Sequence, residues 1–448
     1  MNELSTRLPV RTRDWLTATA FFLVAAAFRL VGLGNVKGYI FDEVYYAKDA
    51  HSIAQHGVEL TGNNVAEFVV HPPVGKWLIA AGIKLFGFNE FGWRFSAAII
   101  GSLAISVMYF VAQRLFNNYF LSVTASLFML VDGLELVHSR VALLDIFLMF
   151  FLLLTLLFLL QSKHWLAGIS LGLAAGVKWT GFYYFIAIFA FVIYVDYRNH
   201  RAMEEERPIL KTVQRDGVLR VTQYLVLPVV TYFLSWTGWV LNSHGWDRSY
   251  SKSFGGFARS LIHYHSEILN FHKGLHTAHP YQSNPWSWLI MGRPTSFWYT
   301  APKDCGAKSC SAEILGLGTP LLWWSITIAI AVAFGYWIAR REWQSGLLLL
   351  FFGAGYLPWF LFQKRTMFSF YSIAFEPFAI LLLVYVIAKY LEGHSMKFGS
   401  LRDNYRFYSV ILLIVAVVLC FLYFFPLYVG QTMTYSDWFA RMWFSSWI

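Results

Sequence analysis

The sequence predicts an all-α polytopic membrane protein with about eleven transmembrane helices and further amphipathic helices lying at one membrane interface. Three observations carry this. Hydrophobic residues make up 57% of the 448-residue chain and charged residues only 13%, too little polar surface to hold a soluble domain in water. Apolar stretches of roughly 20 residues, the length that crosses the hydrocarbon core of a bilayer, recur along the chain. Basic residues gather in alternate short connections, as they do in loops that resist translocation.

The apolar stretches lie near 15–34, 92–113, 119–137, 141–160, 165–180, 181–196, 221–241, 317–338, 345–362, 370–388 and 407–427. The fifth and sixth share one run broken at Lys178-Trp179. Arg7, Arg11 and Arg13 precede the first, which is long and lacks a small-residue cleavage site, the mark of a retained helix rather than a signal peptide. Six Lys or Arg residues between Arg198 and Arg220, then Arg340-Arg341 and the segment from Lys389 to Arg406, fall on the same side as the N-terminus. That side is predicted to be cytoplasmic. An odd number of crossings then puts the loops 35–91 and 242–316 and the tail 431–448 outside. With no internal repeat, low-complexity tract or linker, the expected organisation is a single multispanning domain over residues 1–448. The net charge of +10 follows from topology and anionic headgroups rather than from nucleic-acid binding.

The first outer loop is expected to hold two short interface helices. Asp42 can cap one in which Val44, Ala47, Ala50 and Ala54 recur at helical spacing up to His56-Gly57. Pro72-Pro73 can open the other, with Trp77, Leu78, Ala81 and Leu85 on one side and Lys76 and Lys84 on another. The loop 242–316 carries His244, His263, His265, His272, His276 and His279 among aromatic and Pro residues. Without carboxylates or thiols at zinc spacing, they suggest a polar, aromatic recognition surface rather than a metal site. Cys305 and Cys310 lie in the same loop, where an oxidising compartment makes a short-range disulfide plausible and two free thiols the alternative. Cys420 lies within an apolar stretch as inert packing.

Ionisable residues at membrane depth are costly and so mark candidate sites. Asp42 and Glu43 follow the first stretch and Arg94 begins the second; Asp132, Glu135, His138 and Arg140 close the third, and Asp145 lies one turn into the fourth. Lys178 ends the fifth, and Lys364-Arg365 follow the ninth. Carboxylates facing cations suit a general base beside the binding site of a phosphorylated lipid. Each also has a structural reading. Asp42 is a good N-cap and Glu43 a favourable first-turn residue. Arg94, Arg140 and Asp145 can satisfy one another in a buried network, and Lys178 and Lys364 can snorkel to headgroups.

Several motifs stand in a familiar order: Phe41-Asp42-Glu43-Val44-Tyr45-Tyr46, His71-Pro72-Pro73-Val74-Gly75-Lys76, Trp93-Arg94-Phe95-Ser96, Arg140 to Asp145, and Val177-Lys178-Trp179-Thr180-Gly181. Together with Asp304-Cys305-Gly306 to Cys310, Leu317-Gly318-Thr319-Pro320 and the closing Met442 to Trp447, they resemble the polyprenyl-phosphate-mannose protein O-mannosyltransferase family, chiefly its actinobacterial members. The resemblance implies a GT-C glycosyltransferase that moves mannose, with inversion, from a polyprenyl phosphate carrier to Ser or Thr of exported proteins. It implies Asp42 as general base, Glu43 as an acceptor-orienting partner, and Arg94 and Lys178 in donor or acceptor binding. Lys178, Arg365 and Lys364 would then neutralise the departing phosphate, with His71, His138, Arg140 and Asp145 in substrate binding or a structural network. No metal or other cofactor is required beyond the lipid-linked donor. The expected partners are that donor, exported Ser/Thr-containing proteins, membrane lipids and, as a candidate, the secretion channel. The loop 242–316, about 75 residues, is too short for the β-trefoil domains of eukaryotic members. The alternatives are a same-fold transferase acting on a lipid or cell-wall glycan, and a transporter or flippase; the latter predicts inverted repeats that the chain lacks.

Overall fold

The computed structural model of the protein describes residues 11–252, 255–396 and 398–448; Arg7 of the basic lead lies outside the described residues. The chain opens with α1 (Thr12–Leu30), α2 (Glu43–His56), α3 (Val74–Phe86), α4 (Glu90–Phe116), α5 (Tyr119–Leu130), α6 (Gly133–His138), α7 (Asp145–Leu160), α8 (His164–Val177) and α9 (Gly181–Ala202). The long helix Pro208–Leu234 follows. Beyond a loop carrying the helix Gly256–Gly274 come Pro320–Arg340, Trp343–Tyr356, Glu376–Tyr390 and Tyr405–Val429.

All eleven apolar stretches are helical, but they are not a uniform row of crossings. Among the described residues six helices are long and apolar enough to cross a membrane: α4, α9, Pro208–Leu234, Pro320–Arg340, Trp343–Phe362 and Tyr405–Val429. The apolar helices α5, α7 and α8 are shorter. The expected crossing 119–137 is interrupted because Asp132 leaves the helix and caps α6, its Oδ1 accepting from the backbone N–H groups of Leu134 and Glu135 at 2.8 and 3.3 Å. Helix α7 is apolar on every side for a different reason: all of it except Leu154 and Phe158 is buried. It sits inside the bundle between α4, α8 and the turn Ser369–Ala374. Gly168 and Gly172 let α8 approach Pro208–Leu234 at backbone distance; a Cβ at Gly172 would stand 2.6 Å from the Pro228 carbonyl oxygen.

The expected interface helices form as α2 and α3, with one change. Lys84 is exposed as expected, but Lys76 is fully buried, paired with Glu59 and 3.8 Å from Asp49. A buried ammonium needs such partners, and both carboxylates lie upstream in the same loop.

The all-helical expectation also missed a small sheet. Strands β1 (Thr295–Thr300) and β2 (Cys310–Gly316) pair antiparallel from Thr295↔Gly316 to Thr300↔Ala312, and β3 (Met433–Thr434) adds to the other edge of β2. Thr-Ser-Phe-Trp-Tyr-Thr is rich in β-branched and aromatic residues and was legible as a strand. The two residues of β3 become a strand only through their partner. A disulfide joins Cys305, in the connection between β1 and β2, to Cys310, the first residue of β2.

Candidate active site

The segment between α1 and α2 has no regular structure, so side chains impose its shape. Arg140 Nη1 donates to the carbonyl oxygens of Phe28, Arg29 and Val31 at 2.7 to 2.9 Å, satisfying carbonyls at the end of α1 that have no helical partner. Arg94, buried at the start of α4, takes the next stretch. It donates to the carbonyl oxygens of Leu33, Val36 and Gly38 at 3.2, 2.8 and 2.9 Å. Its fork closes on Glu43, with Nε to Oε1 and Nη2 to Oε2 both at 2.8 Å. The Glu43 oxygens also accept the backbone N–H groups of Ile40 and Ala142, each at 2.9 Å.

The side chains of Glu43 and Asp42 therefore have different surroundings. Glu43 is 0% exposed, its oxygens are committed to Arg94 and the backbone, and it lines neither of the cavities described below. Arg94 and Arg140 belong to the same network of backbone and carboxylate contacts and line neither cavity. His138 is enclosed as well, its Nδ1 2.9 Å from the Leu134 carbonyl oxygen and its ring against Phe297 and Phe370. Behind it, Glu135 is paired with Arg29 in the protein interior.

Asp42 goes the other way. Phe41 has a left-handed backbone, φ 49°, a conformation a non-glycine residue keeps only when its surroundings hold it. Here its ring packs on Phe297 and Phe370 at 5.0 and 5.6 Å. Asp42 occupies the N-cap position of α2 yet makes no capping hydrogen bond, contrary to the capping role expected of it. Its carboxylate lines a cavity of about 640 Å³ with Tyr46, Asp49, His71 and Lys76. Burial pushes the Asp42 carboxyl up to about 6; the Lys178 charge opposes this, the Asp145 charge adds to it, and the Tyr46 hydroxyl opposes it by hydrogen bonding.

Lys178, at the C-cap of α8, is held by Asp145 at the start of α7, with Nζ 3.0 and 2.9 Å from the two carboxylate oxygens. Its ammonium lies 4.9 Å above the Tyr371 ring. A second cavity, about 500 Å³, has Lys178, Lys273, Lys364 and Arg365 on its walls beside Trp179 and Trp359. His71, His272, Arg365 and Tyr371 line both cavities. The result is one site with an acidic and a cationic compartment divided by a shared wall. His71 is kept well below the usual imidazole range by burial and then by the Lys178 charge, so it stays neutral in that wall. A third, almost wholly apolar cavity of about 720 Å³ shares Trp179 and Leu269 with the cationic one.

Of the residues singled out in the sequence, the structure brings Asp42, His71, Lys178, Lys364 and Arg365 to the cavity walls. Asp145 stands behind Lys178. Sequence reasoning did not single out Tyr46, Tyr371 or, among the loop histidines, His272, all of which line these cavities. Tyr46 lies one helical turn from Asp42 and was discoverable by spacing; Tyr371 enters from a distant turn and carried no local signal.

The geometry can be set beside known proteins. Residues 257–447 match the family described as the C-terminal four TMM region of protein-O-mannosyltransferase, and residues 70–213 match dolichyl-phosphate-mannose-protein mannosyltransferase. A polyprenol-phosphate-mannose–protein mannosyltransferase of Corynebacterium glutamicum is 31% identical, covering 97% of this chain and 93% of the relative. The Mycobacterium tuberculosis protein of the same name is 30% identical over 98% of this chain and 92% of its own length. Among solved structures, the S. cerevisiae protein O-mannosyltransferase Pmt1-Pmt2 complex bound to the sugar donor superposes with a TM-score of 0.81 over 100% of this chain and 94% of that one, at 16% identity. ArnT from Cupriavidus metallidurans bound to undecaprenyl phosphate gives 0.55 over 91% and 64%, at 17% identity. These two likenesses show the GT-C membrane fold. Taken with the identities over nearly full length, they place this chain in the polyprenol-phosphate-mannose–protein mannosyltransferase family.

Proposed function

We propose that this protein transfers mannose from a polyprenyl phosphate carrier to Ser or Thr hydroxyls of exported proteins, with inversion at the anomeric carbon, at the outer face of the membrane. The observation that carries this is the shared wall: a carboxylate in one compartment meets a cluster of cations in the next across Arg365 and Tyr371. The acceptor hydroxyl enters the acidic compartment and loses its proton to Asp42 as its oxygen bonds to the sugar's anomeric carbon. The bond from that carbon to the carrier phosphate breaks on the opposite side. Lys178, Arg365 and Lys364 stabilise the charge left on the departing lipid phosphate. Asp145 keeps the Lys178 ammonium in place, and the apolar cavity beyond Trp179 accommodates the start of the isoprenoid chain.

The test is to incubate membranes containing the protein with labelled lipid-linked mannose and a Ser/Thr-rich peptide. Label on the peptide, lost with Asp42→Asn, is expected; label on a lipid or glycan instead would reassign the acceptor. Orientation is tested separately with single cysteines at Ser436 and Glu206, after Cys305, Cys310 and Cys420 are replaced. An impermeant thiol reagent should label Ser436 and spare Glu206 in intact cells; the reverse would put Asp42 on the cytoplasmic side.

A further inference from the structure

We propose that His272 is a positioning residue for Arg365, accepting a hydrogen bond from the guanidinium while donating one to the backbone of the first outer loop, and so aiming Arg365 at the wall between the two compartments. The inference rests on the reading of Arg365 as a ligand of the carrier phosphate.

His272 Nε2 lies 3.2 Å from the carbonyl oxygen of Val70, and its Nδ1 lies 3.4 Å from Arg365 Nη2. A carbonyl oxygen only accepts and a guanidinium nitrogen only donates. Both contacts are satisfied by one form of the ring: neutral, with the proton on Nε2. An imidazolium would set N–H against N–H. The surroundings agree, since burial first and the Arg365 charge second hold His272 down at about 4. Its ring is wedged between His71 and Trp179, at 5.5 and 6.0 Å between centroids.

The same stretch grips the backbone around Arg365. His276 Nδ1 is 2.8 Å from the Lys364 carbonyl oxygen, and Thr366 N donates to the Leu275 carbonyl oxygen at 3.0 Å. Arg365 itself lies over Trp359 and Tyr371, at 5.8 and 5.9 Å from the ring centroids. Its Nη1 is buried and has no hydrogen-bond partner. A buried guanidinium nitrogen left without a partner is costly unless a ligand completes it. An anionic oxygen in either compartment would do so. His272 thus ties the helix Gly256–Gly274, the Val70 backbone and the phosphate-binding arginine into one unit.

The test uses the full-length protein in membranes and reads donor KM and kcat for His272→Phe, His272→Gln, Arg365→Ala and the double variant His272→Phe/Arg365→Ala. His272→Phe keeps ring volume against His71 and Trp179 but loses both hydrogen bonds. Donor KM is expected to rise and kcat to fall, lowering kcat/KM roughly tenfold, because Arg365 both holds the phosphate and stabilises its departure. His272→Gln, which can still donate and accept, should recover most of this. In the Arg365→Ala background His272→Phe should add almost nothing, because the group it positions is gone. Equal losses in both backgrounds, or no loss in either, would overturn the positioning role. An unchanged donor KM in Arg365→Ala would overturn the phosphate reading as well, which separates the two failures. If His272→Phe does not accumulate in the membrane, His272→Leu takes its place in the cycle, and equality of Leu and Gln then counts against the proposal.

Discussion

Asp42 and Glu43 are neighbours in the chain and opposites in environment. Glu43 accepts a bidentate arginine fork and two backbone N–H groups and is sealed from solvent. Asp42 makes no cap, lines a cavity, and is pushed up to about 6 by burial. One carboxylate is spent on holding the loop's shape; the other is left available because the first holds it there. An acidic pair can therefore divide its surroundings, and the side chain with fewer partners is the one that faces a cavity.

The largest effect should come from exchanging these roles. Asp42→Asn is expected to lower transfer by about 10²- to 10⁴-fold while the protein remains folded in the membrane. Glu43→Gln should act through folding instead, lowering the amount of intact protein more than the turnover of what remains. Parallel measurement of purified yield and kcat distinguishes them; normal turnover in Asp42→Asn with inactive, well-folded Glu43→Gln would reverse the assignment.

The next effect concerns the clamp. Arg94→Ala leaves the Glu43 carboxylate buried without its partner, a change that costs about 3–5 kcal/mol. A large fall in the thermal midpoint in detergent is expected, with Arg94→Lys intermediate because a single ammonium cannot reproduce the fork. An unchanged midpoint would remove the distinction between clamp and site.

A smaller effect is expected from pH. In the proposed reaction Asp42 acts as a base only when ionised, and burial pushes its carboxyl up to about 6. The kcat/KM for acceptor should be nearly flat above that value and fall about tenfold per pH unit well below it. An acid limb lying near the usual carboxylate value of about 4 instead would mean that Asp42 is not desolvated when it reacts.

The smallest concerns a part remote from either role. Replacing Cys305 and Cys310 by Ser opens a connection with a sequence separation of only 5, for which loop closure contributes about 2 kcal/mol. Transfer should remain within about twofold of the unmodified protein in the same assay; a loss as deep as that of Asp42→Asn would tie the hairpin to the chemistry.

The sequence by itself determined the membrane character, the approximate place of the apolar stretches and the motif residues. These depend on composition and local period, which a chain carries at every position. It also disclosed Asp42, Lys178 and Arg365, since charge in an apolar context stands out whatever the fold. Tertiary structure decided what each charge does. Whether a carboxylate is a clamp or a base depends on how many donors reach it, and for Glu43 those come from Arg94 and Ala142, distant in sequence. The burial of α7 within protein, the pairing of Lys76 with upstream carboxylates, the two-residue strand β3 and the contact of His272 with Arg365 are likewise products of long-range contact. Local sequence fixes a residue's chemistry, but its partners and its access to water are set by chain segments that meet only when the bundle closes.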